Sequence, residues 1–154
     1  MYLLTQRCLI RNFIEGDVAG LFEILSNNNV MKYIEPTFSF DQTRTFLCEA
    51  GLCDPPLIYA LILRSTGALI GHIIFHVYEK NAYEIGWIID EDYWGQGIAS
   101  EITAALLAYA KDTGVKSCVI ECDPFQATSI HIACKFGFIY EGEKSGCLRY
   151  RIAI

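Results

Sequence analysis

Apolar and polar positions alternate along this chain in two rhythms, and the change of rhythm marks out its elements. Leu3–Phe13 alternates loosely and reads as a first strand. Glu15-Gly16-Asp17 places acid at the start of a helix running to about Leu25, and Asn27-Asn28-Asn29 breaks it. A short helical piece around Val30–Tyr33 ends before Pro36. Ser39 and Gln42 have the spacing of a reciprocal capping box, which predicts a helix through about Ala50 with Gly51 as its stop. Pro55-Pro56 ends the helical part. Leu57–Leu63, Leu69–Tyr78 and Tyr83–Ile89 then read as strands, joined by turns at Arg64–Ala68 and Glu79–Ala82 that are too short for anything but antiparallel pairing.

Beyond a glycine-spaced turn, Ile98, Ile102, Ala105, Leu106 and Tyr109 share one helix face, and Gly114 ends that helix. Lys116–Cys122 is a strand reached by this helical crossover, so it should lie parallel to Tyr83–Ile89. Ala127–Phe136 is a short helix closed by Gly137. Phe138–Glu143 and Leu148–Ile152 form a hairpin around Ser145-Gly146. The order β-αα-βββ-α-β-α-ββ, without repeat or linker, predicts one domain over residues 1–154. Its class is α/β in the mixed α+β sense, with a mostly antiparallel central sheet.

The 154 residues are 53% hydrophobic and 19% charged, a globular balance with room for a core. The net charge of −6 argues against nucleic acid as a partner, since such binding relies on basic surface. It suits a cationic acceptor such as a protonated amine. No apolar run approaches the ~20 residues of a membrane helix, so no membrane partner is expected. The opening MYLLTQRCLIRNF has neither the charged n-region nor the cleavage site of a signal peptide, and the expected location is the cytoplasm. Seven cysteines without a C-x-x-C pair are expected as buried free thiols in a reducing compartment, with no metal.

The chemistry is concentrated in Tyr83–Glu101, YEIGWIIDEDYWGQGIASE. A strand runs into a Gly-x-Gly turn and straight into a helix. Backbone N–H groups at a helix start have no partner within the helix, and the helix dipole favours negative charge there. Gly95 and Gly97 let the backbone approach a ligand that side chains would push away. Ser100 stands where a dinucleotide fingerprint needs its third glycine, and no Gly-Lys-Ser/Thr follows, so neither nucleotide motif applies.

Trp94-Gly95-Gln96-Gly97-Ile98-Ala99 resembles motif A of the GNAT superfamily of acyl-CoA-dependent N-acyltransferases, Arg/Gln-x-x-Gly-x-Gly/Ala. Trp94 in place of Arg or Gln is similar to the branch containing the ribosomal-protein N-terminal acetyltransferases. The opening Thr5-x-Arg7 and Leu9-x-Arg11 is frequent in that branch. Gln126-Ala127-Thr128-Ser129 stands where the family has Asn-x-x-Ser, with Gln departing from Asn, and Lys135-Phe136-Gly137-Phe138 matches Lys-x-Gly-Phe. The resemblance covers the whole chain, and it implies the GNAT fold, with splayed central strands and helices on both faces.

It further implies acetyl transfer from acetyl-CoA to a primary amine by direct attack in a ternary complex, with coenzyme A as product and no metal. The acceptor is then a small amine or a peptide N-terminus. Gly95, Gln96, Gly97, Ile98, Ala99 and Ser100 would offer N–H groups to the pyrophosphate, beside Trp94, Gln126 and Lys135. Trp87, Ile88 and Ile89 would pair with the pantetheine arm as an added strand does. Ser129 would hold the sulfur and protonate the thiolate, with Tyr140 a weaker substitute because Ala133 occupies the position where relatives carry a tyrosine. Glu84 or Glu121 would relieve the amine of its proton.

Tyr33, Glu35 and Phe38, together with His76, are candidates for the acceptor side; His72 and His76 share a strand face. Each residue has a plain structural alternative: a helix cap for Ser129, a surface ion pair for the glutamates, a buried hydrogen bond for the histidines. The rival for the whole chain is a noncatalytic acyl-CoA-binding regulatory module on the same fold. Whether the protein is a monomer or a homodimer is open, since the two last strands could be edges.

Overall fold

The computed structural model describes residues 1–154. Its eight strands are β1 (Tyr2–Leu4), β2 (Cys8–Arg11), β3 (Ile58–Leu63), β4 (Leu69–Glu79), β5 (Ala82–Ile89), β6 (Ser117–Cys122), β7 (Ile139–Lys144) and β8 (Cys147–Ala153). Five α-helices accompany them: α1 (Val18–Leu25), α2 (Asn28–Met31), α3 (Phe40–Phe46), α4 (Ile98–Asp112) and α5 (Ala127–Lys135). The strands form one sheet in the order β1-β2-β3-β4-β5-β6-β8-β7. The ladders β1–β2, β2–β3, β3–β4, β6–β8 and β7–β8 are antiparallel, and β5–β6 is parallel as the helical crossover requires. The chain divides into two compact units: Met1–Ile74 with Trp87–Ile98, and Phe75–Gly86 with Ala99–Ile154.

In the first unit the strand expected over Leu3–Phe13 is two strands paired with each other, with Tyr2 opposite Arg11 and Leu4 opposite Leu9. Thr5 makes the reversal. Its N–H donates to the Cys8 carbonyl and its hydroxyl accepts from the Cys8 N–H, so the hydrogen bonds that would continue one strand close a turn instead. The capping box is present: Ser39 Oγ accepts from the Gln42 N–H, and Gln42 Oε1 accepts from the Ser39 N–H. The helix it starts changes at Leu47–Gly51 to a π-helical turn, closed by Leu52 N–H donating to the Leu47 carbonyl. Gly51 is needed there for closeness, since a Cβ would stand 3.0 Å from both Leu47 Cδ1 and Phe13 Cδ2.

The core of this unit gathers Phe13, Leu21, Leu25, Met31 and Leu47 against Ile58, Ala60 and Ile62 of β3. Arg11 donates to both oxygens of Asp17, at 2.7 and 2.8 Å, tying β2 to the turn before α1. Asn27 and Asn29 each donate to one oxygen of Glu91, at 2.8 and 2.7 Å, and these amides draw its carboxyl below the ordinary value.

In the second unit β6 lies against β5 on one side and β8 on the other, while β7 pairs with β8 alone. Of the two terminal strands, therefore, only β7 is an edge. Ser145 and Gly146, both at positive φ, make their hairpin turn. Tyr109 of α4 meets Phe75 of β4 edge-on, and Phe75 meets Tyr83 of β5. Three of the seven free cysteines, Cys8, Cys118 and Cys122, are buried; the others reach the surface to some degree, contrary to the expectation for the set. Burial pushes the Cys118 and Cys122 thiols up to about 11.

No helix is long and apolar enough to cross a membrane.

Candidate active site

Gly95 (φ 70°) and Gly97 (φ 78°) both adopt the left-handed conformation that other residues resist, and the chain passes directly from them into α4. Arg7 braces this turn: Nη1 donates to the Gln96 carbonyl at 2.6 Å, and Nη2 lies 3.7 Å from where a Cβ on Gly97 would be. The Gln96 side chain donates to the Asp92 carbonyl. A guanidinium thus stands beside the turn expected to meet an anion. The sequence showed Arg7 only as part of an opening motif, because its partner is 89 positions away.

The end of β5 is held from two directions. A Cβ on Gly71 would lie 2.3 Å from the Ile88 oxygen and 3.1 Å from Ile89 Cα, so glycine alone fits under this backbone. The Ile89 carbonyl accepts from the Trp94 indole N–H at 2.8 Å. Trp94 therefore secures the turn to the strand, and the Ile89 oxygen is already engaged.

The acidic candidates come together in the second unit. The β5–β6 ladder pairs Ala82–Glu84 with Ser117–Val119 and stops there, although β5 continues to Ile89 and β6 to Cys122. Glu84 faces Val119, and side chains two apart on a strand share a face, so Glu121 joins Glu84. Each carboxylate has its own partner. Glu84 Oε2 lies 3.4 Å from His76 Nε2, whereas Glu121 accepts from the Tyr78 hydroxyl. Burial holds the Glu84 carboxyl above its ordinary value; His76 opposes this and the Glu121 charge adds to it.

Arg149 sits opposite Glu121 in the β6–β8 register. It forms an ion pair with Glu141 at 3.2 Å and also engages Tyr78. Arg151 binds Glu141 at 2.8 Å and Glu79 at 2.6 Å. Tyr78 holds the Glu121 carboxylate and Arg149 engages Tyr78; no local sequence signal pointed to either, since each joins the site from another strand.

Ser129 is buried in the first turn of α5 but does not cap it. Gln126 is the cap residue, and it contributes its backbone carbonyl to the Ser129 and Ile130 N–H groups rather than its side chain. Lys135 Nζ donates to Ser100 Oγ at 3.2 Å, which brings an ammonium group to the first turn of α4. Tyr140 is half-exposed on β7 against Tyr150.

The acceptor candidates separate. Phe38 packs into the core edge-on to Phe46. Tyr33 lies at the surface under the Lys32 ammonium, and Glu35 is exposed. His76 joins Glu84. His72 is fully buried against Phe46 with Nδ1 unpaired, and burial lowers its pKa to about 4. No three His, Cys, Asp or Glu side chains gather as metal ligands.

A family model described as "Acetyltransferase (GNAT) domain" matches residues 7–139. The chain belongs to the GNAT acetyltransferase family. This GNAT acetyltransferase is 34% identical over 151 residues to the "Uncharacterized N-acetyltransferase YnaD" of Bacillus subtilis, covering 96% of this chain and 88% of that one. It is similar to the crystal structure of a GNAT acetyltransferase from Bacillus anthracis, with TM-score 0.88 and 32% identity, over 100% of this chain and 98% of that chain. The RimL ribosomal L7/L12 alpha-N-protein acetyltransferase, solved in complex with coenzyme A, shares the fold, with TM-score 0.83 and 22% identity over 100% of this chain and 98% of that one. The mixed, mostly antiparallel sheet is the fold of these neighbours, and acetyl transfer is the activity of the family.

Proposed function

We propose that residues 1–154 serve as one acetyltransferase domain that moves the acetyl group of acetyl-CoA to a primary amine within a ternary complex. The observation that carries this reading is the turn Trp94–Ile98: two left-handed glycines, backed by Arg7, lead into the N-terminus of a fifteen-residue helix. Its N–H groups, with Ala99, Ser100 and Lys135, suit a pyrophosphate. The coenzyme A held by the RimL structure supports the same ligand class here. The continuation of β5 past Glu84, beyond its pairing with β6, suits a pantetheine arm added as a strand, with Trp87, Ile88 and Ile89 as its candidate partners.

The residues present fit that ligand, and the acetyl-CoA they would hold supplies the activated acyl group. The protein's part is proton management. A protonated amine must lose one proton before attack. Glu84 suits this better than Glu121, because burial makes it the stronger base while the Tyr78 hydroxyl ties up Glu121. Glu121 then acts on Glu84 through its charge. Ser129, buried at the start of α5, would donate a hydrogen bond to the departing sulfur. The acceptor is a protein N-terminus or a small amine; the name of the RimL enzyme favours the former by analogy.

Calorimetric titration with acetyl-CoA tests the first half, and absence of heat at millimolar ligand would sink the assignment. Glu84→Gln tests the second: binding should persist while turnover falls by roughly a hundredfold or more. A wild-type protein that binds acetyl-CoA and acetylates no amine in peptide and small-amine libraries would be a noncatalytic module instead.

A further inference from the structure

Two amides converge on one carboxylate ahead of the glycine turn. Asn27 Nδ2 donates to Glu91 Oε1 at 2.8 Å, and Asn29 Nδ2 donates to Glu91 Oε2 at 2.7 Å. Chemistry fixes these roles. Asn27 Oδ1 accepts from the backbone N–H groups of Asn29 and Val30, so its amide nitrogen is what faces Glu91. An ionised carboxylate only accepts, so Asn29 presents its nitrogen as well. The two amides keep Glu91 ionised by drawing its carboxyl below the ordinary value.

The clamp joins two segments of the first unit. On one side Asn27 caps α2, whose Val30 and Met31 are buried. That helix leads into the acceptor candidates: the Ile34 N–H donates to the Met31 carbonyl, and the Phe38 N–H to the Leu25 carbonyl. On the other side Glu91 opens the 3-10 turn Glu91–Tyr93, between the end of β5 and Trp94. The Asp90 N–H donates to the Ile70 carbonyl, the Trp94 N–H donates to the Glu91 carbonyl, and the Gln96 side chain donates to the Asp92 carbonyl. The lead-in to the glycine turn is thus braced along its length, and Glu91 ties it to α2.

We propose that Glu91 is a positioning residue for the acyl donor: clamped by Asn27 and Asn29, it sets the turn Trp94–Ile98 in the orientation that receives the pyrophosphate of acetyl-CoA. This rests on the reading of that turn given above. Charge alone argues against a carboxylate four residues before Gly95, because it repels a polyanion. The clamp accounts for it, since a carboxylate offers a separate oxygen to each amide. Position and charge therefore pull donor affinity in opposite directions at this residue, and the sign of the change on substitution tells them apart.

The test is calorimetric titration of acetyl-CoA into the wild type, E91Q, N27D and the double variant N27D/E91Q. E91Q removes a negative charge, which by itself tightens a polyanion, and leaves one amide facing another. Affinity should nevertheless fall about threefold or more. N27D keeps the helix cap, because aspartate accepts the same N–H groups, but it sets carboxylate against carboxylate and should also weaken binding. In the double variant the new amide donates to the new carboxylate, and its oxygen accepts from Asn29. Both hydrogen bonds return at the wild-type net charge, and affinity should recover to within about twofold. Unchanged or tighter binding by E91Q, or a double variant that binds no better than the single ones, would overturn the proposal. So would urea midpoints that fall while affinity stays constant, since the clamp would then serve stability alone. If E91Q folds poorly, N29A removes one hydrogen bond without changing charge and should weaken binding in the same direction; equal affinity there overturns the proposal too. A wild-type protein that gives no heat with acetyl-CoA would refute the reading of the turn itself, a result separate from any equality among the variants.

Discussion

His72 makes stability depend on pH in a way that one substitution can isolate. The ring is 1% exposed, faces Phe46 at 5.8 Å between centroids, and leaves Nδ1 without a partner. Burial lowers its pKa from 6.5 to about 4, because an imidazolium there would lose its water. Above about pH 6.5 neither the folded nor the unfolded chain holds this proton, and the full stability is present. Below that, the unfolded chain takes up a proton that the folded one refuses, so stability falls by ~1.4 kcal/mol per pH unit until about pH 4. Across the gap between 6.5 and about 4 the loss is about 3 kcal/mol, a large share of the ~5–15 kcal/mol typical of a domain. Urea unfolding of wild type and H72F over this range measures it. The variant keeps an aromatic ring beside Phe46 and cannot titrate, so its curve should be flatter than that of the wild type by about 3 kcal/mol in total. Their separation at neutral pH reflects repacking; the change in separation is what counts. Parallel curves would refute the reasoning.

Four further substitutions address the architecture. Gly71→Ala places a methyl 2.3 Å from the Ile88 oxygen, and thermal melts should show a loss of roughly 2 kcal/mol or more; an unaltered melt would show that the end of β5 yields freely. Gly97→Ala forces φ 78° on a residue with a side chain, at a cost of about 1 kcal/mol, and calorimetry should show weaker acetyl-CoA binding. Gly67→Ala, at φ 74° in the turn before β4 with open space around it, is the control: it should lose comparable stability and keep its affinity. Arg11→Ala removes both hydrogen bonds to Asp17 and should cost about 1–2 kcal/mol in urea unfolding; no loss would mean that the pair only decorates the surface.

What the sequence made legible was local or combinatorial. Ser39 and Gln42 form their box because both partners lie within one turn. The parallel placement of β6 followed from the length of the crossover alone. The doubling of the first strand escaped notice because one threonine hydroxyl, rather than a glycine or proline, closes the turn at Thr5. The change to a π-helical turn at Leu47 depends on how tightly Gly51 packs against Phe13, a distant residue. Glu84 and Glu121 were both legible as candidates, but their difference was not. It rests on Tyr78 and His76, which strand pairing brings in from elsewhere in the chain. Gly71 gave no signal, since a glycine within an apolar strand looks the same whether or not a backbone passes above it.

Trp94 anchors its indole on the Ile89 carbonyl, and the only other tryptophan, Trp87, lies on the same strand-to-turn stretch. All of the chain's indole fluorescence therefore originates between the end of β5 and the glycine turn. Trp94, half-exposed and with its indole held by one hydrogen bond, is sensitive to anything that enters or tightens that corner. The protein carries its own optical probe at this position, and stopped-flow emission can follow ligand arrival on the millisecond scale without a dye, a label or a known acceptor.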